Sequence, residues 1–263
     1  MKPFIDIAVN LTHPDLQADF ADWMLRALQM NVNQQVGLAS TLEDIPNLLH
    51  LCETWPPYLM ATAGVHPHYA DTWTSASSAM LEAFWPNPHL IAVGECGLDF
   101  HRNLSHPNQQ INAFKAQLSI AEKLNLPVVL HERDAFEPMM KILNQHQVKG
   151  VLHCFTGDQE ALEAYLSYGL YIGITGWVCD KKRGRNLQTL IQSIPDERLL
   201  LETDSPYLRP KDLPKTARVG ISGRNEPSYL PHIAMSVAKL KQQDLSRIRE
   251  NTWHNFQTLF SME

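Results

Sequence analysis

The chain has 263 residues, 44% of them apolar, and a formal net charge of -6 at pH 7, which supports a substantial core in one large domain or two small ones and argues against a surface coated for nucleic acid. The first thirty residues carry Lys2, Asp6, Asp15, Asp19, Asp22 and Arg26 with no uninterrupted apolar core of a signal peptide, and no later run is long enough to cross a bilayer. Four cysteines (Cys52, Cys96, Cys154, Cys179) form no CxxC pair and are sparse for a disulfide scaffold, so a soluble, cytoplasmic chain with reduced thiols is expected.

Taken in chain order, the pattern alternates short apolar segments with longer amphipathic ones. A strand over residues 4–9 precedes a helix over 16–29; strands over 35–39 and 59–65 are followed by helices over 42–53 and 75–84. Strands over 90–94, 127–130 and 150–153 alternate with helices over 108–123, 135–145 and 159–167. The last strands, 170–175 and 199–203, are followed by a helix over 186–194 and a long helical region from Tyr229 onward, including residues 244–259. Thr41 and Asp158 stand where helix N-caps belong, and Pro127 and Gly169 where helices stop. Most of the strands are continuous apolar runs, as expected where both faces of a sheet are covered. Eight βα units in this length predict an α/β fold of the TIM-type (β/α)8 class, with an open doubly wound sheet as the lesser option and an extra C-terminal helical segment outside. No linker or composition break divides it, so residues 1–263 are expected to form a single domain.

In a barrel of this class the site is built at the carboxyl ends of the strands, and there the polar residues collect. GVHPH places His66 and His68 after the third strand, GECGLDF places Glu95 and Asp99 after the fourth, and LHERDA places His131 and Arg133 after the fifth. LHCFTG then contributes His153, and LETDSPYL contributes Glu202 and Asp204. Imidazole and carboxylate suit Zn2+ or Mn2+, and carboxylate with water also suits Mg2+. Glu95, His131 and His153 on three consecutive strands therefore predict a shared divalent metal, which implies hydrolysis by activated water. Asp204 is expected to take up the water proton, to bind metal, or both, unless it merely caps the following turn. Arg133 carries a fork suited to phosphate oxygens, or else pairs with Glu132 or Asp134. His66 could ligate, hold a phosphate or donate a proton, with His68 behind it.

At these residues the sequence resembles the TatD family of metal-dependent deoxyribonucleases, within the amidohydrolase-like barrels. The resemblance runs through GVHPH, GECGLDF, residues 114–124, LHERDA, HCFTG, LLLETDSPYL and RNEP. It implies phosphodiester hydrolysis of DNA, with 3'-5' exonuclease action on single strands and RNA as a further substrate. It also implies metal ligation by Glu95, His131, His153 and Asp204, with Glu95 and Asp204 catalytic. Most members carry Asp-x-His-x-His on the first strand; here that stretch reads Asp6, Ile7, Ala8, Val9, Asn10, as in the TatD branch itself. A second cation would then rely on Glu95, Asp204, Asp6 and water, an oxygen-rich set that favours Mg2+ over Mn2+ or Zn2+.

Residues 181–224 hold ten Lys and Arg against five acids, on a chain that is otherwise acidic. This cluster is expected to track a phosphate backbone at the mouth of the site, with Arg224 joining Arg133, His66 and His68 in binding substrate, and Trp177 either stacking a base or packing under the loop. Single-stranded DNA or RNA is the expected partner of a monomer. The rival readings are a metal-dependent hydrolase of an ester, amide or aminoacyl-tRNA bond, and a nucleic-acid-binding protein that has lost catalysis.

Overall fold

The computed structural model describes residues 2–262. Eight strands form one parallel sheet in chain order: β1 (Phe4–Val9), β2 (Val32–Gly37), β3 (Leu59–Ala63), β4 (Leu90–Asp99), β5 (Val128–Arg133), β6 (Gly150–Leu152), β7 (Tyr171–Ile174) and β8 (Leu199–Leu201). Helices α1 (Pro14–Gln17), α2 (Phe20–Gln29), α3 (Ile45–Thr54), α4 (Ser77–Glu82), α5 (Pro107–Leu124), α6 (Phe136–Leu143), α7 (Gln159–Tyr168) and α8 (Arg185–Leu190) lie between strands, and α9 (Leu230–Lys241) and α10 (Leu245–Phe260) follow. The expected (β/α)8 class and the extra C-terminal helices are both present. Among the described residues no helix is long and apolar enough to cross a membrane.

Packing divides the chain into two compact units. The first comprises Met1–Gly37, Cys154–Leu162 and Ile172–Glu263. Within it β1 pairs with β2 and β7 with β8. The segment after β8 returns to β1: Val9 bridges Ser205, the Asp204 amide donates to Ala8 O at 3.0 Å, and the Asn10 amide donates to Ser205 O at 2.8 Å. The last strand is thereby joined to the first, which closes the order of the sheet. α10 docks at the start of β8, where Asn255 Nδ2 donates to both Asp196 O and Leu199 O at 2.8 Å.

The second unit comprises Leu38–His153 and Glu163–Tyr171 and holds the consecutive pairs β3–β4, β4–β5 and β5–β6. β4 runs five residues beyond the expected stop at Gly94 because two glycines let it continue against β5. Gly94 and Gly97 take φ of 148° and 146°, and a Cβ on Gly97 would lie 1.9 Å from His131 O. Only a residue without a side chain permits that approach, and it places Glu95 and His131 side by side. All ten β4 residues are buried.

One expected helix is two. The segment over residues 16–29 breaks at Asp19, whose carboxylate turns to Arg26 and Arg224 instead of continuing α1 into α2. Asp158 caps α7 as read, its carboxylate accepting from Ala161 N at 3.0 Å. Thr41 shares the start of α3 with Asp44: each side chain accepts from the other's amide, at 3.1 and 3.3 Å.

Candidate active site

Four imidazoles and two carboxylates meet in the second unit, carried by β4, β5, the end of β6 and the turn after β3. Glu95 Oε1 lies 2.8 Å from His131 Nδ1, 3.3 Å from His153 Nε2 and 3.4 Å from His66 Nε2. Asp99 stands four residues along β4 from Glu95, hence on the same face; its Oδ2 meets His68 Nε2 at 2.7 Å and His131 Nε2 at 3.3 Å. Glu95, Asp99, His66 and His153 are buried, and His131 and His68 are partly exposed. The sequence pattern put Glu95, Asp99, His131, His153, His66 and His68 at strand ends; the structure brings all six together and gives Asp99 a role the pattern did not assign, holding two of the rings.

The donor set fits a divalent cation. One ligand atom each from Glu95, His131 and His153 lie within 4.8 Å of one another. Tetrahedral ligands about 2.0–2.1 Å from an ion stand roughly 3.3 Å apart, close to the spacings observed here. The electrostatics agree. Burial alone would raise the Glu95 carboxyl, but the imidazoles of His66, His153 and His131 outweigh it and hold the group well below its ordinary range. Burial likewise opposes ionisation of Asp99, and the hydrogen bonds from His131 and His68 overcome it. His131, caught between two carboxylates, is raised to about 9 despite its burial. Its proton supplies the positive charge that two buried carboxylates demand, the charge a bound cation brings.

His66 has a different chemistry from the ligands. As N-cap of the 3-10 turn Pro67–Thr72, its Nδ1 accepts the His68 amide at 3.0 Å. Burial lowers its pKa to about 4, so the ring is neutral and carries its single proton on Nε2. That fixes His66 as a hydrogen-bond donor and ill suits Nε2 to metal ligation.

Two buried glutamines on α5, two helical turns apart, hold the strand ends that carry these groups. Gln117 Oε1 accepts from Val65 N at 2.7 Å and its Nε2 donates to Val65 O at 3.0 Å. Gln110 does the same for Asp99, at 2.8 and 3.1 Å. Each amide imitates a strand neighbour and satisfies backbone groups beyond the ladder. Neither was legible as a site residue, because a glutamine within a helix reads as surface.

Arg133 ends β5 half-exposed, and neither expected partner takes it. Asp134 pairs with His101 at 2.8 Å, and Glu132 accepts from Ala135 N at 2.7 Å. The guanidinium is left available for an anion.

In the first unit, Asp204 follows β8 with φ of 54°. Its Oδ1 accepts from Asn10 Nδ2 at 3.0 Å, so the amide that stands in place of a first-strand histidine orients this carboxylate. Asp6 does not suit a cation. It is fully buried, accepts from Thr203 N at 2.8 Å and Thr203 Oγ1 at 2.5 Å, and burial pushes it up to about 8. Arg224, expected at the substrate, is a correction: it is 6% exposed and its guanidinium grips Asp19 and Glu226, alongside Arg26. RNEP is thus an internal clasp, with Asn225 Nδ2 also donating to Thr203 O at 2.8 Å. Of the basic segment, Lys181, Lys182, Arg185, Lys211, Lys215 and Arg218 are exposed, whereas Arg183 is occupied, pairing with Asp180 at 2.9 Å and covering the Trp177 ring at 4.7 Å.

Known proteins resemble this arrangement over its whole length. The family model described as TatD related DNase matches residues 5–261. A protein of Edwardsiella piscicida named 3'-5' ssDNA/RNA exonuclease TatD is 45% identical over 261 residues, covering 98% of this chain and 99% of that one. One of the same name from Musicola paradisiaca is 46% identical, over 91% of this chain and 90% of its own. Among solved structures, YjjV, a TatD homolog from Escherichia coli K12, superposes with a TM-score of 0.87 at 26% identity, over 99% of this chain and 98% of that one. A phosphotriesterase homology protein of Escherichia coli shares only the fold, at 13% identity and a TM-score of 0.66 over 97% and 99%.

Proposed function

Because the chain belongs to the TatD related DNase family, we propose that it is a metal-dependent 3'-5' exonuclease acting on single-stranded DNA and RNA. The observation that carries the reading is Glu95 Oε1 facing His131, His153 and His66 within 3.4 Å, in a chain whose curated relatives are named for that activity. Those relatives favour phosphodiester hydrolysis over the ester, amide or aminoacyl rival and over a binding protein without turnover.

A divalent cation held by Glu95, His131 and His153 would neutralise phosphate charge and lower the pKa of a water molecule; we propose Mg2+ as the activating ion, since a second position supplied by Glu95, Asp204 and water is oxygen-rich. The remaining roles belong to the side chains themselves. His66 donates a hydrogen bond from its Nε2–H to a phosphate or leaving oxygen, and Arg133 grips phosphate oxygens with its fork. Asp99 keeps His131 and His68 in register. Asp204, fixed by Asn10, is the carboxylate we assign to the attacking water or to a second ion. The exposed cations of residues 181–224 attract the backbone of the incoming strand. A cytoplasmic monomer with reduced thiols completes the proposal, supported by cysteines that form no pair.

End-labelled single- and double-stranded DNA and RNA, incubated with Mg2+, Mn2+ or Zn2+, test substrate, ion and direction together. Glu95→Ala should abolish divalent-dependent shortening from the 3' end while the circular dichroism spectrum is unchanged. Cleavage that survives this substitution in a clean preparation rejects the proposal.

A further inference from the structure

Three segments of the first unit, none of them carrying a residue assigned to the hydrolytic step, converge on a second set of donors. Cys179 closes the 3-10 turn Gly176–Cys179 after β7, Asp212 lies in the segment between β8 and α9, and His232 sits in the first turn of α9. One atom of each, the thiol sulfur, a carboxylate oxygen and a ring nitrogen, lie within 4.8 Å of one another. We propose that Cys179, Asp212 and His232 bind a thiophilic divalent cation such as Zn2+, separate from the catalytic ion, and that this ion staples the segment after β8 to α9.

The donor types are those of zinc sites, in which three side chains leave one position for water; with Zn–S of about 2.3 Å and Zn–N of about 2.0–2.1 Å, ligand atoms stand roughly 3.3–3.6 Å apart. To reach that spacing the thiol needs at most a modest approach, while the histidine and carboxylate must part slightly. His232 Nε2 already meets Asp212 Oδ1 at 2.7 Å. An ion pair requires those two residues alone; here a thiol from a third segment stands beside them as a third donor. The sulfur has an outer partner in Ser236, whose Oγ lies 3.3 Å from it, one helical turn beyond His232. Cys179 is buried, but the side chain of Asp212 is 38% exposed and that of His232 18%, so a cation has a route in from solvent. On binding, the Cys179 S–H bond breaks, its proton passes to solvent, and the thiolate electron pair forms the bond to the ion.

The backbone is shaped for such a junction. A Cβ on Gly176 would lie 2.2 Å from Leu208 O, so the segment leaving β8 rests directly on the turn that ends in Cys179. That segment carries Arg209, Lys211 and Lys215. An ion at Asp212 would hold these cations in place.

Cobalt distinguishes this site from the catalytic set, which contains no sulfur. Full-length, metal-free protein titrated with Co2+ should develop the near-ultraviolet charge-transfer absorption of a cobalt thiolate, and Zn2+ should displace it. Glu95→Ala and Cys154→Ser should keep the band, Cys179→Ser should lose it, and Asp212→Asn should weaken the affinity about tenfold or more. His232→Gln provides a second loss variant at a part-exposed position, with circular dichroism as the folding control for both. Zn2+ should also slow tryptic cleavage after Lys211 and Lys215 in the wild type and leave Cys179→Ser unprotected. A titration without the band, or a band that persists in both Cys179→Ser and His232→Gln, overturns the site; tryptic cleavage unaffected by Zn2+ overturns the staple.

Discussion

Replacing Arg224 with methionine separates a structural role from a substrate-binding one. Arg224 is 6% exposed and Glu226 is 1% exposed. Arg224 Nη1 meets Asp19 Oδ1 at 2.5 Å and Nη2 meets Glu226 Oε2 at 3.2 Å, and its hydrogen bond is the main reason the Asp19 carboxyl stays below the ordinary range. Removing one partner of a buried pair costs about 3–5 kcal/mol, because the other charge is left without compensation. Arg26 still holds Glu226 at 2.8 Å and Asp19 at 3.0 Å, which keeps the loss near the lower bound, about 3 kcal/mol. For a chain of this size that lowers the Tm by roughly 6–12 °C. Differential scanning fluorimetry reads the shift, and steady-state cleavage of an end-labelled oligonucleotide well below the new Tm should return an unchanged KM. A variant that melts with the wild type but has a raised KM places Arg224 at the substrate and refutes the clasp.

Asp6 predicts a slope in stability against pH. Its folded pKa of about 8 lies above its ordinary 3.8, so the folded state keeps a proton that the unfolded state has lost. Stability is full below about pH 4, falls as pH rises toward 8 and is then level; Asp6→Asn should flatten that fall in urea titrations at pH 5 and pH 8, and parallel slopes would refute it. Ion binding should release the His131 proton. Below about pH 9 the apparent affinity should drop about tenfold per unit of falling pH, with a calorimetric enthalpy that depends on the ionisation enthalpy of the buffer; an enthalpy independent of buffer would count against it. Asn10→Ala removes the bond to the Asp204 carboxylate, and a hydrogen bond to a charged group is worth about 1.5–3 kcal/mol. Its kcat should fall by about tenfold or more at constant KM, and an unchanged kcat would remove Asn10 from the orientation of Asp204.

What the sequence revealed follows from how local each signal is. Apolar runs mark strands because both faces of the sheet are covered, and ligands at their ends are visible because strand end and site coincide. β4 is longer than its apolar run suggests, since glycine ordinarily interrupts a strand, whereas here Gly94 and Gly97 let it approach β5. Asp99 stood in the same motif as Glu95, but its grip on His68 and His131 depends on rings from other segments. Arg224 is hard to place for the opposite reason: a cation in a basic stretch reads as surface, and Asp19, one of the two acids that grip it, lies 205 residues away. Gln110 and Gln117 left no trace, because polar residues on a helix announce burial only when their partners are known.

The ligands on consecutive strands also bear on how the chain finds its structure. Glu95 and His131 are 36 residues apart, whereas the contact that ties β8 to β1, Thr203 to Asp6, spans 197. Loop-closure entropy grows by about 0.6 kcal/mol per doubling of length, so joining first strand to last costs about 1.5 kcal/mol more than bringing those two ligands together. By that measure the contact between Glu95 and His131 forms with a smaller loss of chain freedom than the contact that joins the last strand to the first.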